Sequence, residues 1–297
     1  TVEDVRYGGD THGDLVDNVA ALLTSAARIG TIGVVPYTDA AVLGTERLVD
    51  LNTDYQSMRL VKTEEEMRYV RIASDMNDAA VAALASATRP GMNECDLARV
   101  VEDVYLDKRG TNLIHFTLTT SMADPEFFVP HQYHPDRIIQ AGDVLVTEIS
   151  TNFWGYNGQI LRTLAIAGEP PPLYLEMYDV AERTYTAITD IMRAGTSVGE
   201  VLDRAEAINA AGFDIWDDLV HSYGGGGYLP PVIRTRSNRG ATHDDDWVYP
   251  EGAVVVVQPN VISLPARAGV QVGNSMWLRA DGVEVTQKHA RELIRCG

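Results

Sequence analysis

The sequence lacks several features that define whole classes of protein. It has two cysteines in 297 residues, Cys95 and Cys296, and their wide separation argues against a disulfide framework or a zinc knuckle. No apolar run approaches the roughly 20 residues of a membrane-spanning helix, and no basic and apolar leader opens the chain. These absences predict a cytoplasmic protein without a membrane partner.

Positive charge is also scarce. Lysine and arginine number 24 against 42 aspartates and glutamates, which gives a net charge of −18. Such a field repels a phosphate backbone, so we expect no nucleic-acid partner. Apolar residues are abundant, at 45%, beside 22% charged residues. This composition is typical of a globular protein, and the length suffices for a core domain with a smaller companion.

Residues 1–58 are interpreted as a partial α/β domain. Apolar residues recur at helical spacing between Asp14 and Ala27, and a β-branched run follows. The stretch from Leu48 to Leu60 shows no clear periodicity and is interpreted as a linker. The second domain is therefore predicted over residues 59–297. Because the sequence at Thr1 is typical of the middle of a domain, we expect further residues upstream.

The second domain contains an internal repeat of helices. Thr63 and Glu66 form a capping box that predicts a helix as far as about Thr88. The letters RPG then break the helix, and Asn93 begins the next one. About a hundred residues later a second helix is followed by a similar break, RAGTSVGE. Each half of the domain therefore opens with two helices.

The repeat continues into strands. GDVLVTEIS, from Gly142, aligns with GAVVVVQPN, from Gly252, and the second strands are GQILRTLAI and GVQVGNSMWL. The pattern predicts an α+β fold in which two helix-helix-hairpin halves join their sheets into one curved surface. The cleft lies where the halves meet. In this alignment Glu148 and Gln258 occupy equivalent places and line the cleft.

The order of these motifs resembles a known family. The helix is followed by the RPG break, FFVPHQYHPDR, the GD strand, a GY hairpin ending in RT, HSYGGGGYLPP and a last hairpin. From about Leu60 to Cys296 the chain resembles the pita-bread family of methionine and Xaa-Pro aminopeptidases and creatinase, peptidase family M24. The resemblance implies the pita-bread fold and a homodimer. It also implies that residues 1–58 are the latter part of the family's amino-terminal domain.

The resemblance also implies the positions of a metal site. Peptidase members hold two divalent metals with two aspartates, one histidine and two glutamates. The corresponding positions here are Glu148, Gln159, Gly225, Gln258 and Gly273. One carboxylate remains, and neutral amides and glycines cannot offset the charge of two divalent cations. We therefore predict no metal and no cofactor.

Two residues are predicted to be catalytic. His131, in FFVPHQYHPDR, matches the histidine that faces the substrate in the peptidases and in creatinase, and we expect it to transfer a proton. The alternative is a structural histidine at the mouth of the cleft. Glu148 lies in an apolar strand, where burial raises a carboxyl pKa and suits a general acid or base. The alternative for Glu148 is an ion pair with Arg162.

The substrate-binding residues are predicted to be Gln159, Gln258, Tyr156, His221, Gly225, Tyr228 and Arg162. Glutamine amides at fixed positions can hold a polar group, although Gln159 and Gln258 could equally hydrogen-bond to each other across the former metal site. The glycine-rich run around Gly225 can present backbone N–H groups to an oxyanion. For His221 and Tyr228, packing is the alternative.

These residues favour a metal-independent, creatinase-like enzyme. We expect it to act on an amide, ureido or guanidino C–N bond of a small polar metabolite by histidine acid/base catalysis. Two alternatives remain: a non-catalytic pita-bread scaffold that binds a protein or peptide, and a lyase, isomerase or cyclase on the same fold. A closed, polar pocket of a few hundred Å³ would favour a small substrate, and a collapsed pocket would favour the scaffold.

Overall fold

A computed structural model describes residue 5 and residues 7–132, 135–224 and 227–297. The chain divides into two compact units, Thr1–Arg59 and Leu60–Gly297. Among the helices within these described ranges, none is both long enough and apolar enough to cross a membrane.

The first unit consists of short helices and one pair of parallel strands. Its elements are α1 (His12–Leu22), β1 (Ile29–Thr31), α2 (Tyr37–Leu43), a 3-10 helix (Thr45–Arg47), β2 (Leu48–Asp50) and α3 (Asn52–Leu60). The interpretation of residues 48–60 as a linker is wrong, because they form β2 and α3. The Asp50 side chain accepts a hydrogen bond of 2.8 Å from the Asn52 backbone N–H. This local contact starts α3 without the apolar periodicity that identifies longer helices.

The helices of the second unit are α4 (Glu64–Ala87), α5 (Cys95–Asp107), α6 (Pro172–Thr189), α7 (Val198–Ala205) and α8 (Ala207–Ala210). Helix α4 begins at its predicted capping residue Thr63, whereas α5 begins after Glu94, one residue beyond the predicted cap Asn93. Thr63 and Glu66 form a reciprocal capping box at α4, and Ser197 and Glu200 form another at α7. At α5 the Asn93 side chain accepts from the Cys95 backbone N–H at 3.1 Å. The repeat of helices is therefore present in the structure.

The second unit contains twelve strands within its described residues. They are β3 (Thr111–Ser121), β4 (Asp143–Phe153), β5 (Tyr156–Ile166), β6 (Val220–Gly224), β7 (Gly227–Thr235), β8 (Asn238–Ala241), β9 (Val254–Val257), β10 (Asn260–Ser263), β11 (Ala268–Gln271), β12 (Gly273–Leu278), β13 (Val283–Val285) and β14 (Ile294–Cys296). The large sheet has the order β3-β4-β5-β12-β9-β6-β7-β8, with β13 beside β12 and β14 beside β5. Its pairs are antiparallel except β5 with β14.

The two halves of the sheet join where β5 pairs with β12. Gly273 lies opposite Leu161, and Asn274 lies opposite Ile160. The prediction of one strand for GVQVGNSMWL is wrong, because Val272 separates β11 from β12 and its N–H donates to the Pro259 carbonyl at 3.2 Å. β11 turns away to pair with β10. The second half therefore has shorter strands at the junction than the first.

Each half has its own apolar core. In the first, side chains of α4 and α5 such as Met76, Leu84 and Leu97 pack with Ile149 and Ile160 of the sheet. In the second, a larger cluster joins α6 and α7 to β9, β11 and β12. Each pair of helices therefore buries an apolar stripe against the sheet of its own half.

Candidate functional site

A cavity of about 470 Å³ lies at the junction of the two halves. The described residues that line it are Leu113, Ile114, Phe116, Glu148, Gln159, Asp217, Asp218, His221, Tyr223, Tyr228 and Gln258. They come from β3, β4, β5, β6, β7, the loop before β6 and the residue after β9. The cavity is large enough to hold a small molecule.

Strand register explains why distant residues meet there. Phe116 of β3 lies opposite Glu148 of β4, and Ser150 lies opposite Gln159 of β5. Residues two apart in a strand share a face, so Glu148 and Gln159 both point to the cavity side. Gln258 follows the last residue of β9, and its N–H donates to the Leu219 carbonyl at 2.7 Å. The structure therefore brings together Glu148, Gln159 and Gln258, as the repeat predicts.

A row of side-chain hydrogen bonds links these residues. Gln159 Nε2 donates to Glu148 Oε1 at 2.9 Å and to Gln258 Oε1 at 2.6 Å. Gln258 Nε2 lies 3.5 Å from Asp218 Oδ2. All four side chains are buried. Because Gln159 donates in both directions, it fixes which oxygen of Glu148 accepts a hydrogen bond and leaves Oε2 for other partners.

Sequence reasoning missed the two acids in the loop before β6. Asp217 is half-buried and Asp218 is buried. Asn260, two residues after Gln258, holds this loop: its side-chain oxygen accepts from the Asp217 N–H at 3.1 Å, and its amide donates to the Asp218 carbonyl at 2.8 Å. The sequence signal that could have identified them is a pair of adjacent acids directly before a β-rich run. The comparison of the two repeats does not show it, because the first half has no corresponding pair.

Burial changes the protonation of the cavity. It raises the pKa of Glu148 well above its ordinary value, and the negative charges of Asp217 and Asp218 raise it further. Burial and then Asp217 raise the pKa of Asp218 to about 8. Burial lowers the pKa of His221 to about 4. Burial therefore favours the protonated forms of the two acids and the uncharged form of the imidazole.

The ring of His221 is held by its neighbours. Its Nδ1 lies 3.1 Å from the Ser222 carbonyl oxygen, and since a carbonyl only accepts, Nδ1 carries the proton. The ring stacks on Tyr228 with centroids 4.5 Å apart and meets Tyr223 edge-on at 5.3 Å. In this tautomer Nε2 of His221 is an acceptor. His221 lines the cavity as the prediction of a binding role requires, and its ring contacts are also those of the packing alternative.

His131 does not line the cavity. Its backbone exchanges two hydrogen bonds with Thr117 of β3, at 3.2 and 3.3 Å, and its ring meets Phe127 edge-on. It also lies near Glu94. Burial raises the pKa of the Glu94 carboxyl, and the electrostatic interaction with His131 is one of the effects that lower it. The structure therefore places His131 apart from Glu148, and its proton-transfer role stays a prediction.

Two other predicted binding residues, Arg162 and Tyr156, lie elsewhere. The guanidinium of Arg162 donates to the carbonyls of Leu161, Gly273, His289 and Ala290 at 2.6 to 3.0 Å. Leu161 lies opposite Glu148 in the sheet, and Arg162 is the next residue, so its side chain points to the other face. This placement fits neither an ion pair with Glu148 nor a contact with a substrate in the cavity. Tyr156 lines a separate pocket and donates to Glu66 at 3.3 Å. Gly225 lies outside the described residues.

The donor set does not fit a pair of divalent metals. Gln159 directs its amide hydrogens to Glu148 and Gln258, whereas a metal requires oxygen lone pairs. A Cβ at Gly273 would lie 2.8 Å from both the Gln258 Cα and the Val257 carbonyl oxygen, so the backbone leaves no room for a side chain there. Within the described residues, no group of three or more histidines, cysteines or acids could hold a metal ion.

Comparison with known proteins gives a consistent picture. Residues 68–280 match the model of "Metallopeptidase family M24". A Xaa-Pro dipeptidase of Pyrococcus furiosus is 25% identical over 287 residues, which cover 94% of this chain and 78% of the relative. A probable dipeptidase PepE of Mycobacterium tuberculosis is 26% identical over 89% of this chain and 64% of its own length.

Solved structures show the same architecture. The prolidase from Pyrococcus furiosus matches with a TM-score of 0.80 at 20% identity, covering 97% of this chain and 82% of that one. An X-Pro aminopeptidase from Thermotoga maritima matches with a TM-score of 0.78 at 20% identity, covering 98% and 81%. These neighbours confirm the α+β pita-bread fold that the sequence predicts.

Proposed function

This chain belongs to metallopeptidase family M24, a family of C–N bond hydrolases, and we propose that it hydrolyses a C–N bond of a small polar molecule without a metal. The bond is of the amide, ureido or guanidino type. Named relatives are Xaa-Pro dipeptidases, which supports hydrolysis, and creatinase supplies the precedent for catalysis by a histidine. The donor set described above supports independence from metal.

The observation that carries the proposal is the placement of Glu148 and His221 in the lining of one cavity. Burial there raises the pKa of Glu148 and lowers that of His221, so it favours the protonated carboxyl and the uncharged imidazole. Two titratable groups whose pKa values are pushed apart are suited to serve as acid and base in one reaction. Glu148 is then the acid and His221 the base.

The reaction balances with these two groups. His221 Nε2 takes a proton from water, and the water oxygen bonds to the carbon of the scissile group. The C–N bond breaks with its electron pair on nitrogen, and Glu148 Oε2 gives that nitrogen its proton. Transfer of the proton from His221 to Glu148 through solvent restores both groups. General acid and base catalysis of this kind contributes roughly 100- to 10,000-fold.

Gln258 is suited to hold the substrate oxygen. Its Oε1 is occupied by Gln159 at 2.6 Å, whereas its Nε2 is 3.5 Å from Asp218 and makes a weak contact there, and the Gln258 side chain also hydrogen-bonds to His221. The Nε2 hydrogens can therefore turn to a carbonyl oxygen that gains negative charge. The cavity is not collapsed: its volume of about 470 Å³ supports a small substrate over a binding scaffold.

The test is hydrolysis after metal removal. Protein dialysed against a chelator, with its metal content measured by mass spectrometry, is assayed for amine or ammonia release from a panel of simple amides, ureas and guanidines. We expect turnover to persist without metal and Glu148→Gln to reduce it at least about 100-fold. Activity that returns only with added divalent metal would overturn the proposal.

A matched control uses the same substitution on the surface. Glu169 is exposed, pairs with Arg295 at 3.0 Å and is not among the residues that line the cavity. Glu169→Gln makes the same carboxyl-to-amide change as Glu148→Gln, and we expect wild-type turnover. A comparable loss in both variants would show that the effect of Glu148→Gln is not specific to the cavity.

A further inference from the structure

The cavity carries acids without matching bases. Glu148, Asp217 and Asp218 contribute to its lining, and among the lining residues that the structure describes there is no lysine or arginine. Arg234 lies at its edge, 3.8 Å from Asp217, and donates to the Trp216 carbonyl at 3.3 Å. The single histidine of the described lining is His221, which is uncharged at neutral pH because burial lowers its pKa to about 4.

Part of the cavity lining is apolar. Leu113, Ile114 and Phe116 of β3 contribute to it and are half-buried. Tyr228 is half exposed, and its hydroxyl donates to Asp218 Oδ1 at 3.0 Å. An occupant therefore meets hydrocarbon from β3 as well as carboxyl groups and aromatic rings.

We propose that the cavity selects a substrate with an apolar body and a cationic head, and rejects one that carries a carboxylate. This inference rests on the proposed function and names its substrate class. A cation next to Asp217 and Asp218 gains charge-assisted hydrogen bonds and the faces of aromatic rings. A carboxylate in the same place is desolvated beside acidic side chains, and the described lining contains no lysine or arginine to pair with it, which is a costly arrangement.

Cation binding is coupled to proton release. A cation favours the ionised form of Asp218, whose pKa is raised to about 8 in its absence by burial and by Asp217. The other charged or titratable groups that face Asp218 or Glu148 are Tyr223, Tyr228, Arg234 and Tyr249. Affinity for a cation therefore rises between pH 6 and pH 8, whereas affinity for a neutral compound of the same shape does not.

Three probes of one shape separate charge from fit. Benzamidinium, benzamide and benzoate share a flat ring and a planar head with charges of plus one, zero and minus one. Calorimetric titration of the intact chain at pH 7 measures their affinities. We expect benzamidinium to bind at least about tenfold more tightly than benzamide, and benzoate to bind most weakly. Titration in two buffers of different ionisation enthalpy measures the proton released.

Substitutions test whether the acidic side chains of the cavity cause the preference for the cationic probe. Asp218→Asn is expected to remove the proton release and most of the difference between benzamidinium and benzamide, and Arg234→Gln to enlarge that difference. Glu169→Gln is the control with an unchanged order. Equal affinity for the three probes, tighter binding of benzoate, or no binding of any probe would each overturn the inference.

The binding and turnover experiments can contradict the two proposals independently of each other. A cation preference without hydrolysis of any compound in the panel would overturn the proposed function and leave the cavity selectivity standing. Metal-free hydrolysis together with tighter binding of benzoate would do the reverse.

Discussion

The two halves of the second unit hold their polar groups in different ways. In the first half, β4 and β5 pair without interruption from Asp143 opposite Ile166 to Phe153 opposite Tyr156, and the regular alternation of this hairpin places Glu148 and Gln159 in the cavity. In the second half, β9 ends at Val257, and a separate hairpin intervenes before β12. There the acid comes from a loop that has no counterpart in the first half.

This difference shows that an internal repeat preserves positions better than it preserves charge. The repeated strand provides Glu148 in one half and the neutral Gln258 in the other, while Asp218 enters beside Gln258 from outside the repeat. Asn260 holds the loop in place by its contacts with the Asp217 N–H and the Asp218 carbonyl. Strand register thus positions Glu148 in the cavity, whereas the hydrogen bonds of Asn260 to the loop position Asp218.

The largest loss of stability is expected on substitution of Gly273, at the junction of the two halves. In Gly273→Glu, the new Cβ would lie 2.8 Å from the Val257 carbonyl oxygen and the Gln258 Cα, and the backbone cannot yield without breaking β9 from β12. We expect a loss of more than about 3 kcal/mol in the free energy of unfolding, measured by urea denaturation. Gly282→Glu is the control, because a Cβ at Gly282 meets nothing within 4 Å. Equal stability of the two variants would contradict this account of the junction.

The next effect separates the two candidate histidines. His221 lies in the cavity, and His131 lies beside Thr117 at the far side of β3. We expect His221→Gln to reduce turnover at least about 100-fold, and His131→Gln to leave it close to wild type, with kcat and KM measured on the best substrate of the panel. The reverse result would give His131 the catalytic role that the resemblance implies and remove His221 from the mechanism.

A smaller effect follows from the loop acid. The pKa of Asp218 rises from 3.8 to about 8 on folding, mainly by burial, so the folded chain holds this proton more tightly than the unfolded chain does. Its contribution to stability is complete below about pH 4 and is lost as the pH rises to about 8. The raised pKa of Glu148 likewise makes stability fall as the pH rises. The lowered pKa of His221 affects stability only below the ordinary histidine pKa of 6.5.

The window from pH 6.5 to pH 8 therefore isolates the acids. Wild-type stability should fall there by up to about 1.4 kcal/mol per pH unit for each such proton. Asp218→Asn should flatten the slope, as measured by urea midpoints across the pH series. An unchanged slope in Asp218→Asn would show that Asp218 titrates as an exposed aspartate does.

The smallest effect compares the helix starts of the two halves. Ser197 and Glu200 form a reciprocal box at α7, whereas Asn93 makes one capping bond at α5. Ser197→Ala should cost about 1 kcal/mol of unfolding free energy, and Asn93→Ala no more than that. A larger cost for Asn93→Ala would reverse the order of the two caps.

Much of this architecture is predictable because it depends on local chemistry. The Thr63 capping box, the repeated breaks and the alternation that aligns Glu148 with Gln159 follow from neighbouring residues and from strand period. The place of Asp218 is not predictable in this way, because it depends on a contact with Asn260 across 42 residues. The same holds for Arg162, whose acceptors are backbone carbonyls that carry no signal in the amino-acid letters.

Arg162 also bears on the order in which the chain can fold during synthesis. Its guanidinium is fully buried in the finished structure, and burial lowers its pKa. Two of its acceptors, the carbonyls of His289 and Ala290, lie 127 and 128 residues downstream. Until the ribosome has made that segment, a nascent β4–β5 hairpin must keep this charge in water. The first half therefore waits for the second, and the domain is expected to complete folding only after residue 290 has left the exit tunnel.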